Sequence, residues 1–317
     1  MTEAHIALPR PTPPPPATNA DQPESIEVPD LALMAAAYAI ETPAPDTAEL
    51  LAAARGYLAA YDPITATTPA AQSAAFETQL WAALGLLLSG QDGEVVDAAL
   101  RSAQVAVDAP YRADGDVVRF GQFVLGDGTL LGQKVDGQAD LLRESALAGL
   151  LLHAAAVVRG DMAYAAMSRA ALRSALSRFR SPDGSLYAHA VTPDGMAGFG
   201  RDTEGEALLG LLCLRLRADA YADELLASVE RYAAARLTEE GHAKGYSQNG
   251  TMPNINLRST LLVACFQREA GRFGAARNTL RGLEPLRSRG LLEGNTALTV
   301  AFDAALDHRF FTPQVSA

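Results

Sequence analysis

Apolar residues recur at i, i+3, i+4 and i+7 from about Pro29 onward, the spacing of amphipathic helices. Four times an apolar helical run ends in a short polar turn and a second helical run follows. These turns lie in LLLSGQDGEVVDAAL (86–100), VVRGDMAYAAMSRAAL (157–172), LRADAYADELLASV (216–229) and REAGRFGAARNTL (268–280). A further turn bearing glycine and charge closes each unit, in ADGDVVRF (113–120), SPDGSLYAHA (181–190), TEEGHAKGY (238–246) and RSRGLLEG (287–294). From first turn to second the interval is 25 residues (Gly90 to Gly115), 24 (Gly160 to Gly184), 23 (Ala218 to Gly241) and 19 (Gly271 to Gly290).

Each unit therefore reads as a helical hairpin. In three of them a short extended segment rich in aromatic or β-branched residues follows: VVRFGQFVL, SLYAHAVT and HAKGYSQ. Residues 30–62 predict one more helix pair, broken at Pro43–Pro45, and residues 295–309 one more helix. The result is an all-α chain of about five to six hairpins with short β segments in the loops. Successive hairpins are 53 to 70 residues apart, longer than the roughly 34 to 47 residues of common helical solenoid repeats. Extra loop length at one end is what a closed toroid with a loop-lined pocket needs. Residues 1–27 differ: seven of the chain's 18 prolines fall within the first 23 residues. They predict a Pro-rich disordered tail, either merely solvated or a ligand for a Pro-recognising protein partner. Residues 28–317 are then expected to form a single toroid domain.

The formal charge of −11 argues against nucleic acid or an anionic membrane as partner, since both are bound through clustered Lys and Arg. Cys213 and Cys265 sit in apolar helical runs, read as small hydrophobes, and form no metal-ligand spacing, so neither metal nor cofactor is expected. The longest apolar stretch, 146–158, is too short to span a bilayer and contains Gly149 and His153, the latter read as a packing histidine. No secretory signal is readable, so a cytoplasmic protein is expected. GxSxG, HExxH, P-loop and Gly-rich dinucleotide motifs are absent, which disfavours serine hydrolase, zinc protease, nucleotide hydrolase and nicotinamide chemistry.

Three stretches carry a family likeness: QADLLRESALAGLLLHAAAVVRGDMAY (138–164), SPDGSLYAHAVTPDGMAGFGRDTEGEALLGL (181–211) and PNINLRSTLLVACFQREAGRFGAARNTLRGLEPL (253–286). The chain resembles the α/α-toroid superfamily of six-hairpin glycosidases and N-acylglucosamine 2-epimerases. Within it, the likeness is nearest to the toroid part of thioredoxin-fused, spermatogenesis-associated-type proteins. There is no cysteine before residue 213, so that type's thioredoxin motif is missing, and Arg143–Glu144 stand where a Trp-Asn pair often opens an inner helix. The resemblance implies a closed helical toroid and a sugar-like substrate.

In a toroid the polar residues at inner-helix starts line one open end. Counting back from the hairpin turns, Glu144 lies 16 residues before Gly160 and Asp202 lies 16 before Ala218. The same offset from Gly271 falls on Ile255, between Asn254 and Asn256. Paired carboxylates suit glycosidic chemistry, one protonating the leaving oxygen and the other activating water or attacking carbon. Asp202, with Glu144 or Glu204 as partner, is therefore the candidate acid or base. The competing reading is ordinary helix capping, strongest for Glu206. Arg143, Asn254 and Asn256 are candidate substrate contacts. Tyr187 and His189 alternate in SLYAHA and share a face, lining either a pocket or the rim of the core. His242 and Tyr246 sit similarly one unit later, as does Phe120. Epimerase relatives use histidine as base and acid, which makes His189 and His242 a candidate couple. Trp81 opens an apolar run and reads as core. Two functions remain: an enzyme acting on a carbohydrate or related polar small molecule by hydrolysis or epimerisation, and a non-catalytic helical scaffold binding a protein or peptide.

Overall fold

The computed structural model describes residues 69–88, 140–180, 201–232, 234–236, 243–248 and 254–287, with positions 93, 96, 97, 100, 187, 190 and 191. The Pro-rich tail, the helix pair over 30–62, Phe120, His189, His242 and the helix over 295–309 lie outside them.

The described helices are α1 (Pro69–Leu88), α2 (Leu142–Arg159), α3 (Met162–Phe179), α4 (Thr203–Arg215), α5 (Asp219–Tyr232), α6 (Leu257–Glu269), α7 (Phe273–Gly282) and a single turn, α8 (Glu284–Arg287). They pack in two layers. In the inner layer α1 lies against α2, α2 against α4, and α4 against α6. Outside them α3, α5 and α7 each pack on the helix that precedes them. The three hairpins α2–α3, α4–α5 and α6–α7 turn where the sequence pattern places them.

Composition assigns the layers. On α4, from Thr203 to Cys213, every residue is buried, because it is packed on both flanks and from outside. On α3 the buried residues Tyr164, Ser168, Ala171, Leu172, Ser174, Ala175 and Phe179 follow a stripe at three- and four-residue spacing. Ser168 Oγ donates to the Gly149 carbonyl at 2.8 Å, joining that outer helix to α2. Gly160 ends α2 at φ 68°, and Asp161 then caps α3 by accepting from the Ala163 N–H at 2.8 Å.

Glycine sets how closely the inner helices approach. A Cβ on Gly210 of α4 would run into the Phe266 ring of α6, and one on Gly149 of α2 into Leu212 of α4. Gly210→Ala is therefore expected to destabilise the chain by about 1–3 kcal/mol, the cost of overpacking. Gly274→Ala, which meets nothing within 4 Å, should show no loss in the same urea titration.

Two antiparallel pairs close the inner-helix starts. β1 (Asp140–Leu141) pairs with β2 (Ala190–Val191), and β3 (Ala234–Arg236) with β4 (Lys244–Tyr246). The chain leaving β4 is bonded to two helix starts: Thr203 N–H and Oγ1 donate to the Gln248 and Ser247 carbonyls at 2.8 and 2.7 Å, and Asn256 N–H donates to the Tyr246 carbonyl at 2.9 Å. Of the expected extended segments, SLYAHAVT contributes β2 and HAKGYSQ contributes β4.

Candidate functional site

Register at the inner-helix starts follows from the caps. Leu141, Asp202 and Asn256 are the N-caps of α2, α4 and α6. The second residue of each helix is then Arg143, Glu204 and Arg258: positive, negative, positive at one height across three neighbouring helices. Arg143 Nη1 lies 3.4 Å from Glu204 Oε2, and Arg258 Nε donates to the same oxygen at 2.9 Å. Ser259 Oγ donates to Glu204 Oε1 at 3.2 Å.

Asp202 and Glu77 complete the cluster. Arg143 grips Asp202 as a fork, Nε to Oδ2 at 3.0 Å and Nη2 to Oδ1 at 3.1 Å. From α1, Glu77 accepts from Arg143 Nη1 at 3.3 Å on both oxygens and from Trp81 Nε1 at 3.3 Å. Asp202, the candidate acid or base for which capping was the competing reading, is the N-cap residue of α4 but makes no side-chain cap bond. Its carboxylate faces Arg143 instead. Trp81 is in the core as expected, fully buried, with its indole N–H bonded to Glu77.

Three carboxylates against two guanidiniums leave this cluster one net negative charge. Burial opposes the charge on Arg143, but Asp202, Glu204 and Glu77 outweigh it and hold the guanidinium above its ordinary pKa. Burial likewise opposes Arg258, which Glu204 and then Glu77 raise. Asp202 and Glu204 are 1% and 0% exposed at the side chain, whereas Glu77, Arg143 and Arg258 keep 17%, 11% and 19%.

Glu206, two residues further along α4 than Glu204, is held by Arg201 Nη2 at 2.7 Å in a second pair that Ser228 of α5 joins. Burial raises the Glu206 carboxyl pKa in spite of Arg201. Glu144 is buried beside Arg143 as the third residue of α2.

The other candidates are dispersed. Asn256 caps α6, its Oδ1 accepting from the Ser259 N–H at 2.9 Å, and Asn254 is exposed just before it. Tyr187 lies in the outer layer: its ring is buried and its hydroxyl donates to Glu224 of α5 at 3.2 Å. Tyr246 points down α6, where its hydroxyl accepts from Gln267 Nε2 at 3.4 Å. Nine residues separate Gln267 from Arg258, about 13 Å along a helix, so the Tyr246 hydroxyl is remote from the cluster. Glu77 and Arg258 were not singled out from sequence; the shared position of Arg143, Glu204 and Arg258 after their caps is the signal that finds Arg258. Among the described residues, no group of three or more His, Cys, Asp or Glu is placed to hold a metal ion, and no helix is long and apolar enough to cross a membrane.

His153 of α2 is partly buried, and burial followed by Arg215 holds its imidazole below the ordinary 6.5. The stability this gives is complete above that value and is lost as pH falls through the depressed folded-state pKa. The melting temperature of the wild type should therefore fall faster than that of His153→Gln on acidification below about pH 6.5, with the two running parallel above it.

No protein-family model and no curated protein matches the chain. Solved structures do. It is similar to the Lin0763 protein of Listeria innocua at TM-score 0.60 and 14% identity, covering 89% of this chain and 86% of that one. A polysaccharide lyase matches at TM-score 0.53 and 8% identity, over 89% and 88% of the two chains. The cellobiose 2-epimerase of Spirochaeta thermophila matches at TM-score 0.50 and 16% identity over 68% of this chain. This chain is an α/α toroid. It spans 59% of the length of the epimerase. The charged cluster lies at the starts of the inner helices α2, α4 and α6, against the middle of α1.

Proposed function

We propose that this α/α toroid acts on a carbohydrate or a related polar small molecule at the inner-helix starts, by acid/base chemistry of the clustered carboxylates. The observation that supports this reading is the convergence of Glu77, Arg143, Asp202, Glu204 and Arg258 from four inner helices. Within it we assign two kinds of role. Glu77 is the most exposed carboxylate of the cluster, and its bonds to Arg143, at 3.3 Å, are longer than those of Asp202. It is our candidate base. Asp202 and Glu204 are deeper and more tightly bonded, and they orient the two guanidiniums, whose exposed edges offer donors to sugar hydroxyls or a ring substituent. Epimerisation would add the His189–His242 couple, and hydrolysis would use Glu144 as the acid. The neighbours named for polysaccharide lyase and 2-epimerase activities favour a saccharide over other polar ligands.

A second reading has its own observation. The near-complete burial of Asp202 and Glu204 suits a purely structural tie in a non-catalytic scaffold. A thermal-shift screen against neutral, amino and acidic sugars separates the two. Under the first reading one class raises the melting temperature of the wild type, and Glu77→Gln alters that response. No shift with any sugar favours the scaffold, and pull-downs with and without residues 1–27 would follow.

A further inference from the structure

The two guanidiniums of the cluster differ in what they leave open. Arg143 engages all three of its side-chain nitrogens: Nε and Nη2 donate to Asp202 and Nη1 to Glu77. Arg258 engages one. Its Nε donates to Glu204, and among the described residues nothing accepts from Nη1 or Nη2. Neither nitrogen is sealed in the interior, and the Arg258 side chain, at 19%, is the most exposed of the cluster.

That open edge is also held in place. Glu204 is fully buried and is fixed from its other sides by Ser259 Oγ at 3.2 Å and Arg143 Nη1 at 3.4 Å. It therefore clamps Arg258 by the Nε edge and leaves the Nη edge ordered. A planar fork of this kind matches the two oxygens of a carboxylate, and such charge-assisted bonds are roughly twice as strong as neutral ones.

The charge a ligand meets differs from the total for the cluster. Asp202 and Glu204 are engaged by the guanidiniums and closed off, so the exposed groups are Arg143, Arg258 and Glu77, two cations to one anion. The starts of α2, α4 and α6 add positive charge at the same place, roughly half a unit each, and those of α2 and α4 carry no side-chain cap bond. An ammonium group would have to meet Glu77, whose oxygens already accept from Arg143 and Trp81.

From this asymmetry we infer that the site selects a sugar bearing a carboxylate, with Arg258 as the contact that sets the preference. The inference rests on the carbohydrate reading above and narrows it. The ligand carboxylate accepts from Nη1 and Nη2 of Arg258 in a two-bond grip, and Glu77 remains available to the sugar ring.

Calorimetric titration of the full chain with D-glucuronate, D-galacturonate, D-glucose, D-galactose and D-glucosamine tests this. At least one uronate is expected to bind about tenfold or more tightly than its neutral counterpart. Arg258→Gln, which keeps a donor toward Glu204 and removes the fork, should collapse that ratio to within about twofold. Arg258→Lys, which keeps the charge without the fork, should retain only part of it, and melting curves show that both variants are folded. The wild-type comparison decides the sugar class without either variant. A neutral or amino sugar bound as tightly as both uronates, or a ratio unchanged in Arg258→Gln, would overturn the inference and leave the carbohydrate reading standing. Silence from all five sugars to about 10 mM would remove both.

Discussion

Arg143→Ala is expected to lower the stability of the chain by about 3–5 kcal/mol, the range for removing one partner from a buried ion pair. The size follows from what is left behind. Asp202 and Glu204 are 1% and 0% exposed, so neither can turn to water for the charge compensation that Arg143 supplies. Asp202 would lose donors to both of its oxygens at once. Glu204 would fare better, because Arg258 and Ser259 still reach it. Urea unfolding of Arg143→Ala, Asp202→Ala and the double variant measures this. The double variant should lose clearly less than the two singles added, since removing both partners leaves no orphaned charge between them. A loss below about 1 kcal/mol for Arg143→Ala would place it with surface ion pairs and remove the physical basis for treating the cluster as a rigid frame.

The hairpins were legible from the chain because their cause is local. An apolar run, a polar turn and a second apolar stripe need only the nearest few residues to be read, and α2–α3, α4–α5 and α6–α7 follow that pattern. The register of the site was less accessible. Counting from the turns assumed inner helices of equal length, but α2 has 18 residues where α4 and α6 have 13. The count therefore aligned Glu144 with Asp202, whereas the caps align Arg143 with Glu204 and Arg258. Asp202 shows the same limit from another side. An aspartate before a helix reads as a cap, and only a partner 59 residues away turns its carboxylate elsewhere. Glu77 lies in the middle of α1, where no start signal marks it. Its importance comes from the packing of α1 on α2, a contact no local pattern contains.

The largest effect on activity is expected at Glu77. On a sugar that the screen identifies as substrate, Glu77→Gln should reduce kcat by about 10²–10⁴-fold, the usual contribution of a positioned acid or base, while KM changes little. The amide keeps the shape and can still accept from Trp81, and Arg143 keeps Asp202 and Glu204, so the melting temperature should move only slightly. Asp202→Asn should behave differently. It breaks a two-bond buried grip and loosens Arg143, so kcat, KM and melting temperature are all expected to worsen together. Steady-state kinetics paired with melting curves for the two variants thus separate a group that performs the chemistry from one that holds another group in place. If Asp202→Asn were the variant to lose kcat with its stability intact, the roles would exchange, and Asp202 would be the reacting carboxylate with Glu77 its support.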